Sequence, residues 1–217
     1  MIKLIIFDLD GVLVDARELH YEALNKALSS IDEKYVINRD EHLSTFDGTS
    51  TKKKLTMLTE LKGLPKDSHD LVWRLKQDKT LEIIDRFDID SRIKDILKKL
   101  KSDGYHIACA TNSIRETAKL QLIRKGFFEH IDFLYSNQDV TKPKPSAEMY
   151  MKSMLRAGVE PDETVIVEDS HHGRKAALRS GAHLCAVKNS SDVSYKKIKE
   201  VIDKANGKEN TKPKWQG

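Results

Sequence analysis

Five short apolar runs constrain the fold more than any other feature of the chain: "KLIIF" (3–7), "HIACA" (106–110), "IDFLYS" (131–136), "TVIVE" (164–168) and "HLCAV" (183–187). They are near-continuous rather than alternating, the pattern of strands buried on both faces of a parallel sheet. Amphipathic stretches accompany them. Ile93, Ile96, Leu97 and Leu100 fall at i, i+3, i+4 and i+7 ahead of the second run, with Gly104 as a stop. Further helices are expected over 115–125, ending at Gly126, and over 147–157, with Gly158 and Pro161 beyond. The alternation predicts an α/β fold built on a doubly wound, mostly parallel sheet.

The connection over residues 8–105 breaks the rhythm, being far longer than a single crossover requires. Residues 17–30, 50–62 and 67–85 have helical patterning, with breaks near Gly48 and at "GLP" (63–65). This predicts an inserted all-helical domain over 16–85, and a core domain made of 1–15 and 86–205. A lobe emerging there is expected over the carboxyl ends of the strands, where open α/β sheets bind ligands. The polar end of the chain, 206–217, is expected to be a flexible tail.

Bulk properties exclude several classes. With 39% apolar and 33% charged residues the chain suits a soluble globular protein. The net charge is only +4, aromatic residues make up 6%, and no basic cluster alternates with aromatics, so no nucleic-acid partner is expected. The lysines read as solvated helix faces. No apolar run approaches the ~18–20 residues of a membrane span, and "MIKLIIF" lacks a signal-peptide cleavage pattern. Cys109 and Cys185 each lie inside an apolar run, as expected of buried reduced thiols in a cytoplasmic protein.

Polar residues gather where the strands end. The first run gives Asp8 and Asp10 in "DLDG", the second gives Thr111, Asn112 and Ser113, the third is followed by "SNQDVTKPKP", and the fourth gives Glu168 and Asp169 in "EDSHHG". Taken singly, these are helix caps and turns. Delivered in order to one sheet edge, they are acids, a hydroxyl–amide pair, a lysine (Lys142 or Lys144) and more acids. Clustered carboxylates repel unless a dication sits among them, and such hard oxygen donors suit Mg²⁺. A phosphoryl group held there needs its spreading negative charge neutralised.

The motifs "FDLDGVLVD", "ATNS", the Lys-Pro stretch and "VEDSHHGRKAA" resemble the four ordered motifs of the haloacid dehalogenase superfamily. The insertion resembles the helical cap of the subgroup containing small-molecule phosphatases and beta-phosphoglucomutase. The resemblance implies a Rossmann-like core and a Mg²⁺-dependent phosphatase that hydrolyses a small phosphorylated metabolite, such as a sugar phosphate, through an aspartyl-phosphate. It implies Asp8 as nucleophile and Asp10 as general acid/base, its backbone carbonyl also reaching the metal. Thr111 and Asn112 would hold the phosphoryl group, Asp169 would be the firm metal ligand and Glu168 a second. Lys144 has the family's aromatic residue, Tyr150, six places on, whereas Lys142 has Glu148, so the resemblance selects Lys144. Ala147 stands where the family commonly has a second proline, and Arg174 where it usually has an apolar residue.

Asp10 argues for an oxygen leaving group, since the dehalogenases it resembles lack that acid. The contest is then phosphatase against phosphomutase. His20 resembles a cap histidine of beta-phosphoglucomutase, but many sugar-phosphate phosphatases carry a similar one and packing on the helix face accounts for it equally well; Gly48 lies in a stretch resembling the cap loop that meets substrate. The mutase pattern carries basic residues around Gly48, where this chain has Asp47 and Thr51, and Lys52–Lys54 read as a solvated face. A phospho-signalling receiver domain is the remote alternative, disfavoured because the Asp pair opens the chain and a second acid pair follows the lysine. Nothing in the sequence fixes the oligomeric state, and a monomer suffices.

Overall fold

The computed structural model describes residues 1–46 and 50–207. Its framework is a five-stranded sheet in which every pairing is parallel, in the order β3-β2-β1-β4-β5. The strands are β1 (Leu4–Phe7), β2 (His106–Ala110), β3 (Phe133–Tyr135), β4 (Thr164–Glu168) and β5 (His183–Ala186). β1 is central because all four of its residues are apolar and fully buried. Such a strand is accommodated only between two neighbours with helices on both faces. It pairs Ile5 with Ile107 on one side and with Val165 on the other.

β3 is shorter than the expected 131–136. Asp132 ends it, its carboxylate accepting the Ile107 amide at 2.8 Å and pairing with Lys101 at 2.6 Å. The flanking helices are α5 (Ser91–Ser102), α6 (Arg115–Arg124), α7 (Glu148–Ala157), α8 (His171–Ser180) and α9 (Tyr195–Ala205). α5 starts where the Asp90 carboxylate accepts the Ile93 amide at 3.1 Å, and it buries Ile93, Leu97 and Leu100. The core between sheet and helices includes Leu4, Ile6, Ile166, Met149, Tyr150 and Met154.

By contact density the chain separates into two compact units, residues 1–15 with 89–217, and residues 16–88. The second contains no strand among its described residues. It holds α1 (Arg17–Ser29), the one-turn α2 (Arg39–Glu41), α3 (Thr51–Lys62) and α4 (His69–Ile84). Its own core includes Leu24, Leu28, Ile37, Phe46, Leu58 and Val72. Asn25 pins the loop after α1, its amide exchanging hydrogen bonds with both backbone groups of Ile37 at 2.8 and 3.0 Å. α4 begins two residues later than the pattern suggests, because Lys66–Ser68 form a tighter turn.

Two expectations about charge change here. Lys54 and Lys76 are buried rather than solvated. Asn206, assigned to the tail, is instead tied to the sheet, accepting the Ile2 amide at 2.7 Å. The rest of the expected tail from 208 onward, and Asp47 and Gly48, lie outside the described residues. No helix among the described residues is long and apolar enough to cross a membrane.

Candidate active site

The sheet order reverses between β1 and β4, and open α/β sheets place ligands outside the carboxyl ends of the strands at such a reversal. Asp8 follows β1 directly, its amide still bonded to Val167 O at 3.0 Å. The chain then turns sharply at Gly11, whose φ of 95° lies in the left-handed region. A Cβ on Gly11 would come within 2.2 Å of Asp169 Oδ2, so only glycine lets this turn pass over that carboxylate. Glu168 is the last residue of β4 and Asp169 the first beyond it. Gly173 plays the matching part on α8, where a Cβ would stand 1.8 Å from Glu168 Oε1.

Asp8, Glu168 and Asp169 each place a carboxylate oxygen within 4.8 Å of the others. At an effective dielectric of ~20, each ionised pair at that separation repels by about 3 kcal/mol. The Lys144 ammonium offsets part of this, at 2.6 Å from Asp8 Oδ1 and 2.8 Å from Glu168 Oε1. It reaches them from a loop braced on two sides. Asn112 exchanges hydrogen bonds with the Lys144 backbone at 3.2 and 3.0 Å. The Glu148 carboxylate accepts the amides of Thr141 and Lys142 at 2.9 and 2.8 Å. Lys142 itself is exposed, and the Lys144–Pro145 peptide is cis.

Glu168 is saturated. Oε1 accepts from Lys144 and from the Tyr150 hydroxyl at 3.2 Å, and Oε2 from the amide and hydroxyl of Ser170 at 2.9 and 3.1 Å. Burial pushes the Asp8 carboxyl well above the usual carboxylate range, with Glu168 and Asp10 adding to the shift and Lys144 opposing it. Burial also works against the Lys144 charge, but Asp8, Tyr150 and Glu168 outweigh it and hold the ammonium protonated. Burial likewise keeps the Tyr150 phenol protonated. Three carboxylates set against one ammonium leave the cluster short of positive charge. Of the three clustered carboxylates, Asp8 and Asp169 fit Mg²⁺, which binds through one or two carboxylates and keeps several waters, while Glu168 adds its charge beside them.

Asp10 has different neighbours. Its Oδ2 accepts from Ser113 Oγ at 2.5 Å and its Oδ1 from Gln121 Nε2 at 3.3 Å. Thr111 is buried, and its hydroxyl oxygen accepts the Ser113 amide at 3.0 Å, which leaves its O–H to donate elsewhere. Asn112 is exposed, with both polar atoms of its side chain committed to the Lys144 loop. His20 belongs to the helical unit, half-buried on α1, with Nδ1 3.4 Å from Lys76 Nζ on α4. Arg174 hydrogen-bonds to Val187 O at 2.7 Å, fastening α8 to the chain beyond β5. Both cysteines are buried and free, and burial raises both thiols, Cys185 to about 11.

Sequence reasoning missed Gln121, the Tyr150 hydroxyl and Lys76, and it gave Ser113 no role beyond a cap. A signal for Gln121 existed, since it shares the α6 face of buried Ala118 and Leu122.

A family model described as haloacid dehalogenase-like hydrolase matches residues 5–187. A phosphorylated carbohydrates phosphatase of Thermotoga maritima is 27% identical over 177 residues, covering 82% of this chain and 81% of its own. A pyrophosphatase of Bacillus velezensis is 25% identical over 193 residues, covering 84% and 82%. Among solved structures, a beta-phosphoglucomutase from Clostridium difficile superposes with a TM-score of 0.76 at 21% identity, covering 94% of this chain and 98% of that one.

Proposed function

Because the chain is an enzyme that belongs to the haloacid dehalogenase-like hydrolase family, we propose that it hydrolyses a small organic phosphomonoester through an aspartyl-phosphate on Asp8. The observation that carries this reading is the buried contact of Lys144 with Asp8 and Glu168, set beside Asp169 at the β1–β4 crevice. Sugar phosphates come first as substrates, since the Thermotoga relative is a phosphorylated carbohydrates phosphatase.

Asp8 attacks phosphorus, and Lys144 holds that carboxylate in place while countering the charge on the phosphoryl oxygens. Thr111 donates its hydroxyl to the phosphoryl group. Asn112 acts mainly by fixing the loop that carries Lys144. Asp10 gives a proton to the departing oxygen and then takes one from the water that hydrolyses the aspartyl-phosphate. Mg²⁺, when bound by Asp8, Asp169 and the Asp10 backbone carbonyl, supplies the positive charge that keeps Asp8 ionised and screens the phosphoryl group. Glu168, its lone pairs occupied by Lys144, Tyr150 and Ser170, contributes charge and position. The helical unit is proposed as a cap that excludes bulk water, with His20 its candidate for substrate contact.

The test is kcat/KM across a panel of phosphorylated metabolites with Mg²⁺. Hydrolysis of one ester class well above the rest is expected. A hexose 1-phosphate isomerised faster than any ester is hydrolysed would make the chain a phosphomutase.

A further inference from the structure

Asp10 is held through both of its oxygens, and two of its partners are neutral donors. Ser113 Oγ meets Oδ2 at 2.5 Å and Gln121 Nε2 meets Oδ1 at 3.3 Å. A hydroxyl and an amide can each donate or accept. Gln121 is fully buried on α6, and its Oε1 has no hydrogen-bond partner among the described residues. An enclosed amide with an unpaired acceptor is destabilising where methionine would fill the same space, so packing does not account for it.

On the reading of Asp10 as proton carrier, we propose that Gln121, together with Ser113, is a positioning residue that fixes the orientation of the Asp10 carboxyl through one hydrogen bond to each of its oxygens. In the first half-reaction the Asp8–phosphorus bond forms, the bond to the leaving oxygen breaks, and the proton on Asp10 moves to that oxygen. In the second, water oxygen bonds to phosphorus, the Asp8–phosphorus bond breaks, and the water proton returns to Asp10. Two donors, one on each oxygen, fix the plane of the carboxyl and leave its remaining lone pairs, and the single proton it carries, for the reacting oxygen.

The experiment is rapid-mixing release of 4-nitrophenolate from 4-nitrophenyl phosphate with Mg²⁺, for wild type, Q121M, S113A and D10N. An aryl leaving group departs without a proton, so phosphorylation of Asp8 is insensitive to Asp10, whereas hydrolysis of the aspartyl-phosphate is not. Q121M is expected to melt no lower than wild type and to release a stoichiometric burst at the wild-type rate. Its steady-state turnover falls about tenfold or more, a part of the roughly 10²–10⁴ that a positioned acid/base supplies. S113A changes a half-buried residue outside the core and is expected to show the same split. Wild-type turnover in both variants overturns the proposal, as does a proportional loss of burst and turnover, which is what damage to the whole site would give. D10N with undiminished turnover overturns the reading of Asp10 itself, and the inference falls with it.

Discussion

Replacing Lys144 by methionine keeps the length of the side chain and removes its charge from beside Asp8 and Glu168, which it approaches at 2.6 and 2.8 Å. Two effects follow, of separate size. Loss of one preorganised stabiliser of transition-state charge lowers kcat by about 10²–10³, equivalent to roughly 3–4 kcal/mol. Breaking a buried ion pair by deleting one partner costs about 3–5 kcal/mol where the remaining charges stay ionised. Asp8 takes up a proton readily in the absence of a cation, as burial already raises it, so the stability loss falls at or below the lower end of that range. The assay is steady-state hydrolysis of 4-nitrophenyl phosphate at saturating Mg²⁺, with thermal unfolding in parallel. K142A is the internal control: Lys142 is exposed and contributes only its backbone amide to Glu148, so turnover should stay within about twofold of wild type, as expected of a surface change. A K144M enzyme within about threefold of wild type, or a K142A enzyme as damaged as K144M is expected to be, would refute the reasoning, since either leaves the 10²–10³ of charge stabilisation unaccounted for at Lys144.

Other outcomes are as specific. G173A forces a Cβ to 1.8 Å from Glu168 Oε1 and should lower both melting temperature and turnover, while alanine at exposed Lys175 changes neither. Mg²⁺ at a hundredfold excess over its Kd should stabilise the fold by about 2.7 kcal/mol and raise the melting temperature accordingly; D169N should abolish that shift, measured by thermal scans with and without chelator. The Glu148 carboxyl is depressed from 4.5 to about 2, first by the Thr141 and Lys142 amides and then by Lys152. Its folded pKa is lowered, so its contribution is complete above pH 4.5 and is lost as pH falls toward 2. The stability gap between wild type and E148Q should therefore be full at neutral pH and close across that acid window, read from denaturant midpoints.

Much of this molecule is written in short-range pattern. Each of the five apolar runs forms a strand, because a run such as Leu4–Phe7 has no polar face to offer solvent. The acids of "DLDG" and "EDS" meet because parallel strands β1 and β4 end side by side. The choice between two neighbouring lysines rested on spacing to an aromatic residue, and the structure supplies a physical reason. Tyr150 donates to Glu168 and lies with its ring centre 4.9 Å from the Lys144 ammonium. What pattern could not give was partnership across long sequence separation. Gln121 touches Asp10 across 111 positions. Lys76 is buried with His20 on another helix, yet read along α4 it is one more lysine among charged residues. Asn112 is expected at the phosphoryl group from its motif, and its added bond to the Lys144 backbone, which leaves one N–H of Nδ2 to donate elsewhere, depends on a loop 32 positions away.

The central claim is a covalent phosphoryl group on Asp8. It is tested most directly by mixing the D10N enzyme, in which hydrolysis of the intermediate is slowed, with radiolabelled 4-nitrophenyl phosphate, whose leaving group needs no proton from Asp10, and Mg²⁺, and mapping the label after an acid quench. The account predicts one hydroxylamine-labile label per chain, on the peptide carrying Asp8, and none in the D8N/D10N double variant. Label on another residue, or single-variant D8N enzyme turning over at the wild-type rate, would contradict it.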